Sequence, residues 1–302
     1  MSNPPTLDPP AGARAYRLRT ARGDFAVVDH DVAPGAAPKG TALLLPGFTG
    51  SKEDFHLLHQ PLAARGYRTV AVDGRGQFES AGPRDDESVY AQRELARDVL
   101  AQIQALAAEN DGEGPAAGPL HLLGHSMGGQ VARAAVLIDH SPFASLTLVA
   151  SGPARISPSQ QERVRLLHEA LAVMTMEEVW EAIQAMGAPQ DAGGEDHLRR
   201  RWLAHQPTQL LVTGRQLCAE PDRVAELAAL PLPFHVLSGA ADDTWPLPLL
   251  DEMAVRLDAH RTVVEGAEHS PNVDRPLPTA EALADFWDGL GVRPRGRRDG
   301  GS

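Results

Sequence analysis

The chain has one cysteine, Cys218, in 302 residues. A lone thiol excludes an intrachain disulfide and any zinc cluster built on cysteines. Positive charge is scarce as well. Lysine and arginine number 28 against 40 aspartates and glutamates, a formal net charge of −12. Such a surface repels phosphate backbones, which argues against a general nucleic-acid-binding role. No stretch reaches the roughly 18 consecutive apolar residues that a membrane-spanning helix requires. The opening MSNPPTLDPP has neither a basic start nor an apolar core, so it does not read as a signal peptide. No internal repeat is visible. These features predict a soluble, cytoplasmic protein. The hydrophobic fraction of 42% is ordinary for a globular chain.

The rest is an alternation of short apolar runs and helical patterns. Residues 1–14 are proline-rich and read as a disordered tail, as does the basic stretch 292–302. Tyr16–Arg19 and Phe25–Asp29 form candidate opening strands around Arg22-Gly23. Thr41–Leu45, Thr69–Val72, Leu120–Leu123, Leu146–Ala150, Phe234–Leu237 and Thr262–Val264 are the remaining strand candidates. Helical spacing runs through Glu53–Arg65 and Tyr90–Ala108, and again after Ser126 to about Ile138. Ser51 with Asp54 has the spacing of a capping box. Strands alternating with helices predict an α/β fold with a mostly parallel central sheet flanked by helices.

Residues 154–228 break the rhythm, with helical segments and no convincing strand. Ser157-Pro158 starts one helix. Thr175 with Glu178 caps a second, and Gly187 is a plausible stop. His197–His205 is a third, ended by Pro207, and Gln209–Ala219 a fourth. This block is the candidate helical lid, inserted into a core of residues 15–153 and 229–291. It would cover the strand ends where open parallel sheets bind ligands.

The chemistry concentrates in Gly124-His125-Ser126-Met127-Gly128, a G-x-S-x-G directly after a strand and before a helix. That context makes the pattern a nucleophile elbow. The sharp turn holds a serine hydroxyl clear of the sheet at a helix N-terminus, where amides and dipole favour negative charge. A serine needs a base, and the base needs an orienting carboxylate. Two late strands lead into Ser238-Gly239-Ala240-Ala241-Asp242-Asp243 and Glu265-Gly266-Ala267-Glu268-His269. His269 is the candidate base and Asp242 the candidate acid, with Asp243 as its rival. The loop Leu45-Pro46-Gly47-Phe48-Thr49-Gly50 can supply the N–H of Phe48 to an oxyanion, beside the N–H of Met127.

At these residues the chain resembles the α/β-hydrolase superfamily, from roughly Arg14 to Leu290. The likeness comprises PGFTGSKEDF, DGRGQFES, HLLGHSMGGQ, GAADDTWP and GAEHSPN. It is similar to the lidded serine esterase and lipase-like branch. The resemblance implies an α/β-hydrolase fold with a lid and a Ser126–Asp242–His269 triad. It also implies Phe48 and Met127 as oxyanion donors, and no metal or organic cofactor. The spacing Gly239, Asp242, Pro246 matches the family and favours Asp242 over Asp243. Pro46 departs from it, because the family commonly has a histidine there that braces the loop. A serine at 126 disfavours the branches that use an aspartate nucleophile.

The expected function is cleavage of a carboxylic ester of a small molecule with an apolar acyl group. One alternative is carbon–carbon bond hydrolysis or a lyase on the same triad, which would need Arg199-Arg200-Arg201 to face inward. A non-enzymatic receptor with an inherited pocket is the other. His125 reads as packed and hydrogen-bonded, Asp73 as a loop-shaping residue. Met174, Met176, Val179, Trp180, Ile183 and Met186 either line an acyl pocket or pack the lid onto the core.

Overall fold

The computed structural model describes residues 2–109, 118–186 and 195–290. Eight strands form one sheet: β1 (Ala13–Thr20), β2 (Gly23–His30), β3 (Gly40–Leu45), β4 (Tyr67–Val72), β5 (Leu120–His125), β6 (Ser145–Val149), β7 (Phe234–Gly239) and β8 (His260–Val264). Their order is β1-β2-β4-β3-β5-β6-β7-β8. Strands β1, β2 and β4 pair antiparallel, and every pair from β4 to β8 is parallel. The fold is therefore the expected mostly parallel sheet with an antiparallel edge.

The central strands are apolar on both faces because helices cover both. In β3, Ala42 and Leu44 join one core cluster while Leu43 and Leu45 join the other. One cluster takes Leu58 and Leu62 from α1 (His56–Ala64), with Leu283 and Trp287 from the C-terminal helix. The other takes Leu95, Val99 and Ile103 from α2 (Gln92–Glu109) and Val131 from α3 (Met127–Ile138). Leu44 is wholly buried, so truncation to alanine costs about 2–5 kcal/mol.

Among the described residues, five helices lie between β6 and β7: α4 (Pro158–Val173), α5 (Met176–Ala185), α6 (Glu195–Ala204), α7 (Pro207–Ala219) and the short α8 (Val224–Ala228). The sequence pattern predicts the first four; α8 is too short for a periodic signal. Thr175 and Glu178 do cap α5 reciprocally, whereas Gly187 lies outside the described residues. Beyond β7 come α9 (Leu247–Leu257), α10 (Pro271–Asp274) and α11 (Pro276–Leu290).

Three expectations need correction. The run Glu53–Arg65 is not one helix: Lys52–Phe55 is a 3₁₀ turn, and the α-helix begins at His56. The amide of Asp54 donates to Ser51 O, three residues back, so the first turn is tight. Helix α2 starts at Gln92 rather than Tyr90, because Ala91 is extended with ψ 139° after a 3₁₀ turn at Ser88–Tyr90. The tail expected over residues 1–14 overlaps the first strand. Residues 13 and 14 belong to β1, Ser2 Oγ bonds Ser270 Oγ at 3.0 Å, and His197 Nε2 bonds Pro4 O at 3.0 Å. Proline-rich composition signals an absent helix or strand, and here the Pro4 carbonyl meets His197 of α6 while the Ser2 hydroxyl meets the loop after β8. Residues 292–302 lie outside the described residues. Among the described residues, no helix is long and apolar enough to cross a membrane.

Candidate active site

Ser126 lies between β5 and α3 with φ 53° and ψ −117°, a strained conformation for a residue with a Cβ. Its amide donates to Val149 O at 2.9 Å, fixing the turn to β6. The flanking glycines are required by close approach. A Cβ on Gly124 would meet Gly128 O at 2.3 Å, and one on Gly128 would meet Leu45 O at 2.3 Å.

The structure brings Ser126, His269 and Asp242 together. His269 Nε2 lies 3.0 Å from Ser126 Oγ, and its Nδ1 lies 2.9 Å from Asp242 Oδ1. With Nδ1 protonated, the ring donates to the carboxylate and accepts the serine hydroxyl. The Asp242 side chain is fully buried, whereas that of His269 is 28% exposed. The two loops are laced by backbone bonds from Ala240 N to Val264 O and from Ala241 N to Ala267 O, each 3.1 Å. Thr244 N also donates to Asp242 Oδ1 at 2.9 Å.

Asp243, next to the acid, points elsewhere. Its Oδ2 accepts from Gln160 Nε2 at 3.1 Å, and its carbonyl accepts from Ser157 Oγ at 3.3 Å. It ties the start of α4 to the acid loop and does not touch the histidine. Of the two neighbouring aspartates, Asp242 is the one within hydrogen-bond distance of His269.

His125 is buried, and its Nε2 bonds the backbone oxygen of His269 at 2.9 Å. Burial pushes its pKa down to about 4, so it stays neutral. Its ring stands against Gly47, where an added Cβ would lie 3.2 Å from Nδ1 and 3.3 Å from Ser126 Cβ. The loop carrying Phe48 therefore presses directly on the elbow. Met127 is buried in a small cavity with Leu45, Pro46 and Gln77, behind that loop.

A cavity of about 420 Å³ opens over Ser126 and His269. Its apolar lining is Phe48, Ile156, Val164, Leu217 and Val273; Glu268 and Asp274 stand in its wall, and Ser2 and Asn3 close one side. The methionine-rich lid residues do not line it. Val179, Trp180, Trp202 and Leu210 form a small core of their own among the helices between β6 and β7, with Met174, Met176 and Ile183 packed against it, while Met186 is 80% exposed.

The arginine triplet splits three ways. Arg199 pairs with Glu177 on the surface at 2.6 Å. Arg200 is exposed, 3.8 Å from Glu79. Arg201 is wholly buried, holds Asp54 Oδ1 at 2.7 Å and donates to the carbonyl of Ser2. None of the three lines the cavity.

Several supporting residues carry no sequence signal. Lys52 is buried among Glu53, Asp73 and Glu79 at 2.7, 2.9 and 2.8 Å. Its amide also donates to Asp73 Oδ1 at 2.7 Å, so Asp73 shapes the loop as expected. Arg133 of α3 reaches the base of the lid, donating to Gly152 O and Pro153 O and pairing with Glu220 at 2.8 Å. Among the described residues, no group of three histidines, cysteines or acids could hold a metal ion.

A sequence model of the alpha/beta hydrolase family matches residues 42–282. The chain belongs to that family. A pimeloyl-[acyl-carrier protein] methyl ester esterase of Aeromonas hydrophila is 31% identical over 81% of this chain and 94% of its own. The enzyme of the same description from Edwardsiella ictaluri is 29% identical over 85% and 96%. Among solved structures of the fold, a thermophilic esterase from Thermogutta terrifontis superposes with a TM-score of 0.71 at 21% identity, covering 92% of this chain and 99% of that one. An esterase from Exiguobacterium antarcticum gives 0.71 at 18%, covering 91% and 100%.

Proposed function

We propose that Ser126, His269 and Asp242 carry the chemistry of this carboxylic-ester hydrolase. In this reading Ser126 Oγ attacks the ester carbonyl while His269 Nε2 takes its proton. Asp242 holds the imidazole in the tautomer that can accept, and stabilises the imidazolium. The N–H groups of Phe48 and Met127 receive the negative oxygen of the tetrahedral intermediate. His269 returns the proton to the departing alcohol, leaving an acyl-enzyme. Water, deprotonated by the same histidine, then releases the acid and restores Ser126.

The observation that carries the reading is the pair of contacts at one imidazole, 3.0 Å to the serine and 2.9 Å to a buried carboxylate. We propose a small-molecule ester whose acyl part is apolar, seated on Phe48, Ile156, Val164, Leu217 and Val273. The curated relatives act on an ester carried by a protein. Carbon–carbon hydrolysis has less support, because the arginines it needs are buried or paired outside the cavity.

The test is turnover of a series of nitrophenyl esters of increasing acyl length, with and without Ser126→Ala. The expected result is loss of turnover by at least about 10⁴-fold in the variant, together with loss of fluorophosphonate labelling. Labelling or turnover that survives Ser126→Ala would overturn the assignment, and a receptor would show binding without turnover in the wild type.

A further inference from the structure

We propose that Gln77 is a positioning residue of the oxyanion site, taking over the brace that this chain lacks at Pro46. The inference rests on the serine-hydrolase reading above. Gln77 is only 3% exposed. Its Nε2 donates to Gly47 O at 2.8 Å, and its Oε1 accepts from Gly74 N at 3.0 Å. A carbonyl at one end and an amide N–H at the other fix which atom of the side chain is which.

The consequence follows from peptide geometry. Gly47 O and the N–H of Phe48 belong to one planar unit, and no peptide bond among the described residues is cis. In a trans peptide the C=O and N–H point in opposite directions. Whatever holds Gly47 O therefore aims the Phe48 N–H the other way. Gly47 and Phe48 border the cavity beside Ser126, whereas Gln77 does not line it and borders a separate small cavity with Leu45, Pro46 and Met127. Gly50 N also donates to Gly47 O, at 3.2 Å, but it belongs to the same loop and can move with it. Gln77 supplies the anchor from outside.

That anchor is itself held firmly. Gln77 N donates to Gly74 O at 2.9 Å and Ser80 N donates to Gln77 O at 2.8 Å. Phe78, the next residue, is at φ 36°, a conformation that the surrounding bonds must enforce. Ser80 Oγ and Glu79 N close the loop onto Asp73. A proline at 46 offers no side-chain donor, so without Gln77 the Gly47 carbonyl would be held only by Gly50 N, from within the same loop. A flipped peptide would present an oxygen, not an N–H, to the developing anion.

The experiment compares Gln77→Leu and Gln77→Met with wild type and Ser126→Ala on one nitrophenyl ester. The methionine variant keeps the length and neutrality of the side chain but loses the donor, and it decides the matter where the leucine variant folds poorly. The expected result is a fall of about 10–100-fold in kcat at near-constant KM, somewhat less than loss of a whole oxyanion donor. Affinity for an alkyl boronate, whose tetrahedral adduct uses the same N–H, should fall in parallel, with the melting temperature of Gln77→Met within a few degrees of wild type. A merely structural role would change stability and KM without that parallel. Wild-type kcat in Gln77→Met, with Ser126→Ala inactive, overturns the brace and leaves the triad standing. Full turnover in Ser126→Ala overturns the serine reading, and the brace with it.

Discussion

At the scale of single residues, two adjacent aspartates do different work. Asp242 is buried against the imidazole, while Asp243 faces the lid helix. Asp242→Asn should lower kcat by about 10⁴-fold, because an amide facing Nδ1 can favour the wrong tautomer of His269. Asp243→Asn should leave kcat near wild type, since the amide oxygen of the new side chain could still accept from Gln160. Steady-state kinetics on both variants check this. A large loss in Asp243→Asn with little in Asp242→Asn would reverse the assignment. Sequence reasoning reached Asp242 through its spacing from Gly239 and Pro246. It could not separate the pair on physical grounds, because both follow the same strand. Gln77 was not legible at all: its partner, Gly47, is 30 positions away, and nothing in the residue type announces a brace.

At the scale of elements, the helices inserted between β6 and β7 are tied to the core by buried ion pairs, Arg133 with Glu220 and Arg201 with Asp54. Arg201 projects from α6 into the turn before α1, where it meets Asp54 with both side chains wholly buried. Removing one partner of such a pair leaves an unpaired charge out of water, at about 3–5 kcal/mol. Arg201→Met should therefore lower the denaturant midpoint by an amount corresponding to that loss, and the double variant Arg201→Met/Asp54→Asn should regain most of it. Equal midpoints for wild type and Arg201→Met would show that the pair does not secure the lid. In sequence, three consecutive arginines on a helix look alike. Their fates diverge because successive residues point about 100° apart around the axis, so one enters the interior while its neighbours meet solvent.

At the scale of the whole molecule, the buried histidines should weaken the fold in acid. Burial pushes His121, His125 and His205 down to about 4, and His59 and His235 to about 3. The unfolded chain binds those protons near the ordinary value of about 6.5, and the folded chain refuses them until far lower pH. Protons between about pH 6.5 and 4 therefore favour unfolding. Stability should be level above about pH 7 and fall as pH drops below about 6.5, each such histidine adding up to about 1.4 kcal/mol per pH unit to the slope. Urea midpoints at about pH 7.5 and about pH 5 measure the effect. Equal midpoints would mean that the rings are solvated and titrate normally.

The amino-acid sequence by itself determined the order of strands and helices, the place of the insertion and the elbow at Ser126. Those depend on local periodicity, on glycines that permit close approach and on short spacings along the chain. Only the tertiary structure decided which aspartate meets the histidine, where the three arginines go, which residues line the cavity and what holds the Gly47 carbonyl after Pro46. Each of these is a contact between distant segments. Its energy depends on distance and burial, quantities that exist only once the sheet has brought its strand ends together.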